Sequence, residues 1–334
     1  MSKKVLVCGG AGYIGSHMVR RLVENGFEPV VLDNLSQGHA PAVVSGVPLI
    51  RGDLLDPAAL DALFGAHDFG AVYHFAALIA VSESVTAPGL YYRNNVAGTL
   101  NLLDAMRRAG VDRFVFSSTA AVYGNPQTGL LAESHPKRPI TPYGRSKRMM
   151  EQVLADYGRA FGISSVSFRY FNAAGADPSG EVGEAHDPET HLIPAILLSA
   201  LGNHPALGIF GDDYDTSDGT CVRDYIHVND IASAHLAALD WMEANDGHHV
   251  FNLGNGKGFS NLEVLEAAKK VTGIDIPYRI GPRRDGDAAT LVADSERARR
   301  LLGWRPQVSD IEAIIESAWA WHRAPKYGPF AVNR

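Results

Sequence analysis

An apolar run at residues 5–8 breaks into Gly9-Gly-Ala-Gly-Tyr-Ile-Gly15 and then resumes with helical period. Three glycines at this spacing, Gly9, Gly12 and Gly15, confine the chain to a strand, a tight turn and a helix. The turn needs a residue that tolerates positive φ, and a position without Cβ lets the backbone approach another group closely. The helix that follows presents free N–H groups and the positive end of its dipole, which suits a negatively charged group.

The same rhythm continues along the chain. Short runs rich in Val, Ile and Phe at 4–8, 29–32, 48–51, 71–75, 113–117 and 165–170 alternate with helical-period stretches at 13–24, 57–64, 87–109 and 143–161. This βαβα alternation predicts an α/β fold, a Rossmann-type doubly wound parallel sheet with helices on both faces. After residue 172 the rhythm changes. Residues 173–190 are rich in Gly, Pro, Asp and Glu and read as an irregular loop. Helical patterns follow at 192–201, 228–244, 262–272, 295–302 and 311–322, separated by short strands such as 207–210 and 250–253. We expect a dinucleotide-binding domain over 1–172 and a smaller C-terminal α/β lobe over 173–334, the chain crossing back to the first domain near 223–245.

A formal net charge of −7, with no run of Lys or Arg, argues against a nucleic-acid surface. The run at 5–8 is too short for a secretory core, and no run approaches the ~20 apolar residues of a membrane helix. Two cysteines, Cys8 and Cys221, make no disulfide framework. The expectation is a cytoplasmic protein with a small-molecule substrate and no nucleic-acid, membrane or metal partner.

Asp33 closes the second strand, beyond the glycine turn. Its carboxylate can accept from a ribose 2′-hydroxyl and would repel a 2′-phosphate, which favours NAD over NADP. Asp53, in Arg-Gly-Asp-Leu after the third strand, stands where an adenine amino group can be met. Tyr143-Gly-Arg-Ser-Lys147 opens a helix, so its Tyr and Lys lie one turn apart on one face. A free phenol, with a pKa near ~10, is a poor base at neutral pH. A nearby ammonium and a positive nicotinamide ring both favour the phenolate, which can then take a proton from an alcohol. Phe116-Ser-Ser-Thr119 ends a strand at the carboxyl edge of the sheet, so Ser118 and Thr119 can offer hydroxyls to the same alcohol.

Together, the glycine turn, Ser-Ser-Thr-Ala-Ala-Val-Tyr-Gly, Tyr143/Lys147, Arg169-Tyr-Phe-Asn-Ala-Ala-Gly175 and Arg223-Asp-Tyr-Ile-His-Val228 resemble the UDP-glucose (UDP-galactose) 4-epimerases of the extended short-chain dehydrogenase/reductase group. The resemblance implies a closed redox cycle. Tyr143 takes the proton of the sugar 4-hydroxyl while the C4 hydride passes to tightly held NAD; the 4-keto sugar turns and receives the hydride on its other face. It also implies cofactor contacts from Tyr13, Ile14, Asn34, Leu54, Phe75, Ala76, Ala77, Asn94, Ser117 and Tyr170. Substrate contacts are implied for Thr119, Asn172, Leu192, Gly208, Phe210, Tyr225, the diphosphate arginines Arg223 and Arg284, and Asp287 at a ribose hydroxyl. A homodimer through residues 88–109 and 143–161 is implied as well.

Sibling sugar-nucleotide dehydratases carry an Asp-Glu pair directly after the Ser/Thr cluster, where this chain has Ala120 and Ala121. Neither alanine can transfer a proton, so a 4-keto intermediate has little to do except be reduced again. Three positions depart from the family pattern. Ile79 replaces a lysine that reaches the cofactor in some members. Thr190-His191-Leu192 replaces Asn-Asn-Leu, so His191 either meets the sugar diphosphate or is a loop histidine. Leu291 stands where other members carry a large tyrosine or a small cysteine or serine that closes the sugar pocket near C2. Its intermediate volume predicts weaker turnover of N-acetylated sugars. The rival readings are a UDP-xylose/UDP-arabinose or UDP-N-acetylhexosamine epimerase, a net NAD-dependent dehydrogenase, and a non-catalytic NAD-binding regulator.

Overall fold

Seven strands, all parallel, form the central sheet. Their order is His248–Leu253, Ser164–Tyr170, Arg113–Thr119, Ala71–His74, Lys4–Cys8, Glu28–Asp33 and Leu49–Arg51. The computed structural model describes residues 2–203, 207–284 and 287–331. A parallel sheet needs crossover helices, and these cover both faces, which is why the strands are apolar at successive positions rather than at alternate ones. Val5 and Val7 face a core shared with Met18, Val19, Ile231 and Leu239, from the helices Tyr13–Glu24 and Val228–Ala244. Leu6 and Cys8 face the other side, against Leu60, Leu102, Met106 and Met150 of the helices Pro57–Ala66, Thr99–Ala109 and Pro142–Phe161. The strand order reverses between Lys4–Cys8 and Ala71–His74, which opens a crevice at their carboxyl ends.

A second, five-stranded sheet lies beyond. Val222–His227 is flanked by Gly258–Ser260 and Thr290–Ala293, Leu130–Leu131 continues past Thr290–Ala293, and Asn172–Ala174 also pairs with Val222–His227. Leu207–Phe210 and Tyr278–Gly281 form a separate parallel pair. Helices Leu192–Ala200, Asn261–Thr272 and Ile311–Arg323 bury Ile196, Leu265, Ile314 and Ile315 around these strands.

Several elements differ from the sequence expectation. The stretch 87–109 is not one α-helix; Pro88–Tyr91 passes through a π-helical segment, Tyr92–Gly98, before Thr99–Ala109. The wider turn brings Asn95 inward, where its side chain accepts from Leu78 N and donates to Leu78 O and Ser146 Oγ. The strand expected at 250–253 lies at the edge of the first sheet, as His248–Leu253. Leu130–Leu131 joins the second sheet from the first half of the chain. Two residues have no readable period, so the sequence carried no signal for it.

Candidate active site

The glycine turn sits at the crevice. Gly9 has φ +77°, and a Cβ there would lie 2.5 Å from Ala76 N, where the backbone of Phe75 and Ala76 closes over it. A Cβ on Gly15 would fall 2.0 Å from Gly9 O. Both glycines are therefore demanded by the turn itself. Gly12, which starts the helix carrying Tyr13 and Ile14, is different: a Cβ there would meet only Gly9 O, at 3.4 Å. The chain gives no steric reason for glycine at 12, whereas close approach by a ligand does.

Asp33 is buried and its two oxygens are fixed separately. Oδ2 accepts from Ala11 N at 3.0 Å and Oδ1 from Leu35 N at 2.8 Å. A carboxylate has about four acceptor positions, so two remain for hydroxyl donors. Leu35 takes φ +61°, unusual for a bulky side chain, to complete this loop. Asn34 Nδ2 donates to Asp53 Oδ2 at 3.0 Å, which joins these two expected residues. Leu54 is buried beside them, its carbonyl accepting from Asn101. Asn94 donates to Asn95 within the π-helical segment. This cradle, glycine-lined with a held acid at its end, fits a dinucleotide.

Thr141 caps the helix Pro142–Phe161, its hydroxyl accepting from Gly144 N. That start places Tyr143 and Lys147 side by side, toward the end of Arg113–Thr119. Burial raises the pKa of the Tyr143 phenol, and the nearby Thr119 hydroxyl draws it back. Thr119 Oγ1 also accepts from Ala121 N at 3.2 Å, which orients the hydroxyl. The Lys147 ammonium is buried, donates to Ser117 O at 2.7 Å and lies 4.8 Å from the Phe116 ring centre. Burial alone lowers its pKa to about 7. Tyr170 is Thr119's partner in the strand register and is also buried.

Ser118 corrects an expectation. Its hydroxyl donates to Glu151 Oε1 at 2.7 Å on the opposite face of the strand from Thr119, as side-chain alternation requires. It does not reach Tyr143. It belongs instead to a buried network under the Tyr143 helix. Glu151 accepts from Arg169 Nε at 2.8 Å and Nη2 at 2.7 Å; Arg169 Nη1 donates to Tyr123 OH at 3.0 Å, and Tyr123 OH to Asn252 Oδ1 at 2.6 Å. This ties the helix to three neighbouring strands.

The expected substrate residues lie on the second sheet, on the separate strand pair and on the loops and helix start beside them. Arg223 donates to Ala288 O at 2.7 Å and pairs with Asp287 at 3.4 Å. The Arg284 guanidinium lies 3.9 Å over the Phe210 ring, whose edge covers Gly208. Residues 285 and 286 of the same motif fall outside the described residues. Leu291 is the register partner of Arg223 and packs against the cluster holding Ala120 and Tyr123, next to Thr119. Asn172 Nδ2 donates to Asp224 O, beside buried Tyr225. His191, just before Leu192 opens its helix, has Nδ1 at 2.7 Å from Glu184 Oε1 and 3.3 Å from Glu189 Oε1. Ile79 is exposed.

Residues 5–254 match the NAD dependent epimerase/dehydratase family. A UDP-glucose 4-epimerase of Streptococcus mutans is 53% identical over 95% of this chain and 96% of its own. A Brucella ovis UDP-glucose 4-epimerase solved with NAD is 47% identical, covers 95% of this chain and 97% of its own, and superposes with a TM-score of 0.91. One from Bifidobacterium longum, solved with NAD+ and UDP, has a TM-score of 0.92 at 39% identity over 96% and 98%. The chain belongs to this family.

The Tyr143–Thr119–Lys147 group lies at the carboxyl end of Arg113–Thr119, the strand next to Ala71–His74 on one side of the crevice. Further residues shape the site through contacts that no short motif marks. Glu151 anchors its own helix to the sheet through Ser118 and Arg169, and Asp224 holds the second sheet by accepting from Asn255, Gly256 and Ala293 N–H groups. Glu184, His186 and Glu189 surround the expected His191.

Proposed function

We propose that this protein interconverts UDP-glucose and UDP-galactose at C4 with tightly bound NAD. The observation that carries the proposal is the buried Lys147, held on Ser117 O one helical turn from Tyr143 at the Thr119 end of the strand, followed by the methyl groups of Ala120 and Ala121. NAD, when bound, supplies the hydride acceptor and donor. Gly9, Gly12, Tyr13, Ile14, Gly15, Asp33, Asn34, Asp53, Leu54, Phe75, Ala76, Ala77, Asn94, Ser117, Tyr143, Lys147 and Tyr170 are assigned to hold it.

Tyr143 accepts the 4-hydroxyl proton, and Thr119 hydrogen-bonds the same oxygen. The Lys147 ammonium beside the phenol lowers the cost of the phenolate, an effect made large by burial. The 4-keto sugar meets no acid or base at 120 or 121, so elimination has no catalyst and return of the hydride is the open course. Arg223 and Arg284 hold the diphosphate by charge-assisted hydrogen bonds, and Asp287 accepts from the ribose. Gly208 and Phe210 flank the uracil, while Asn172, His191, Leu192, Tyr225 and Leu291 line the remainder of the substrate.

The domain boundary falls at 172–173, with the Val228–Ala244 helix and His248–Leu253 strand returning to the NAD half, a division supported by their packing. Among the described residues no helix is long and apolar enough to cross a membrane. We assign the protein to the cytoplasm, as a homodimer through residues 88–109 and 143–161, where Leu90, Met149 and Phe161 are exposed. The test of function uses purified protein with no cofactor added. UDP-galactose should be converted and denaturation should release about one NAD per chain. Stoichiometric consumption of added NAD would indicate a net dehydrogenase instead.

A further inference from the structure

The loop that precedes Leu192 carries four donor groups, of which only His191 is assigned to the substrate. Glu184, His186, Glu189 and His191 each offer one ligand atom, and the four atoms lie within 4.8 Å of one another. Both carboxylates are buried, with side-chain exposures of 4% and 3%. The imidazole Nδ1 atoms converge on them: His186 at 3.1 and 3.8 Å, His191 at 2.7 and 3.3 Å. A tetrahedral ion with bonds of about 2.0–2.1 Å separates neighbouring ligand atoms by roughly 3.3–3.4 Å. The observed separations bracket that edge.

A second observation concerns His186 alone. Its Nδ1 is buried and stands 3.1 Å from Glu184 and 3.8 Å from Glu189 without a well-formed hydrogen bond to either. An imidazole nitrogen that close to two carboxylates without a well-formed hydrogen bond is placed to share a cation with them. Two imidazoles with two carboxylates match zinc and related divalent ions better than magnesium or calcium, which take oxygen donors.

We propose that Glu184, His186, Glu189 and His191 form a four-ligand site for a zinc-class divalent cation. The ion neutralises the two buried carboxylates and clips the loop after residue 174 to the start of the Leu192–Ala200 helix. The loop also touches the glycine turn: the Tyr13 ring meets His186 edge-on, and Tyr13 OH donates to Gly175 O at 2.6 Å. Fixing the loop therefore steadies both the glycine turn and His191. The role is positional, and no bond of the substrate is made or broken at the ion.

The test uses tag-free protein with its NAD retained. Elemental analysis should find about one zinc per chain after growth in zinc-supplemented medium. After chelator treatment, zinc chloride alone should be taken up again saturably to one equivalent. Cobalt(II) in its place should give the intense visible bands of a four-coordinate ion. His186→Gln, checked for retained NAD, should bind zinc more weakly by more than the roughly 10–100-fold that loss of a supporting partner costs. The proposal is overturned if the stripped wild-type protein takes up no zinc saturably, or if folded His186→Gln binds it as tightly as the wild type. Because the readout is metal binding, failure here leaves the epimerase assay unaffected.

Discussion

Tyr143, Thr119 and Lys147 divide one task. Tyr143 carries the proton, Thr119 orients, and Lys147 sets the charge. Tyr143→Phe should retain NAD and lower kcat by about 10²–10⁴-fold, the usual worth of a positioned acid–base group. Lys147→Met should move the acid limb of the kcat–pH profile upward, because the phenolate loses its neighbouring cation. The pKa of Lys147 is brought to about 7 by burial, so above that pH a growing fraction of the wild-type apoprotein lacks this charge. At the sugar, Leu291→Tyr should narrow specificity further against N-acetylated substrates, read as a fall in their kcat/KM relative to UDP-galactose. A wild-type kcat/KM for the N-acetyl pair at or above that for UDP-galactose would contradict the assignment of Leu291. These residues were legible because each sits in a short motif. Ser118 was not, since both faces of a strand in a doubly covered sheet look alike in sequence, and only the structure shows which side its hydroxyl takes.

Two elements hold the site in shape, and they respond differently to mutation. Gly15→Ala puts a Cβ 2.0 Å from Gly9 O, so the turn must open. The expected outcome is loss of bound NAD on purification with the rest of the fold intact. Glu151→Gln leaves the Arg169 charge buried without its partner and should cost about 3–5 kcal/mol, measured by denaturant unfolding. The strand–turn–helix was readable because glycine spacing and hydrophobic period agree over adjacent residues. The Glu151–Arg169–Tyr123–Asn252 chain was not, because its members lie as far apart as residues 123 and 252 and no local pattern joins them. The π-helical segment escaped for a related reason: its apolar spacing still reads as helix, and one added residue per turn leaves no trace in composition.

At the scale of the molecule, the core encloses neutral histidines. His235 packs among Phe75, Phe168 and Tyr170, with Nδ1 on Ile231 O, and burial lowers its pKa from 6.5 to about 4. A depressed folded pKa means the unfolded chain binds the proton more readily. This stabilising contribution is complete above pH 6.5 and is lost as the pH falls toward 4. Stability should decline by a few kcal/mol across that window, and His235→Phe should flatten the fall of Tm with pH. The central sheet and its crevice were legible from the βαβα rhythm. The return of residues 228–253 to the first sheet was only partly so, because a helix and a strand read from sequence do not say which core they join. In a closed cycle the hydride taken from C4 is given back to C4. UDP-glucose deuterated at C4, converted in ordinary water, should yield UDP-galactose that keeps its deuterium at C4. Loss of that label to solvent would rule out the closed cycle.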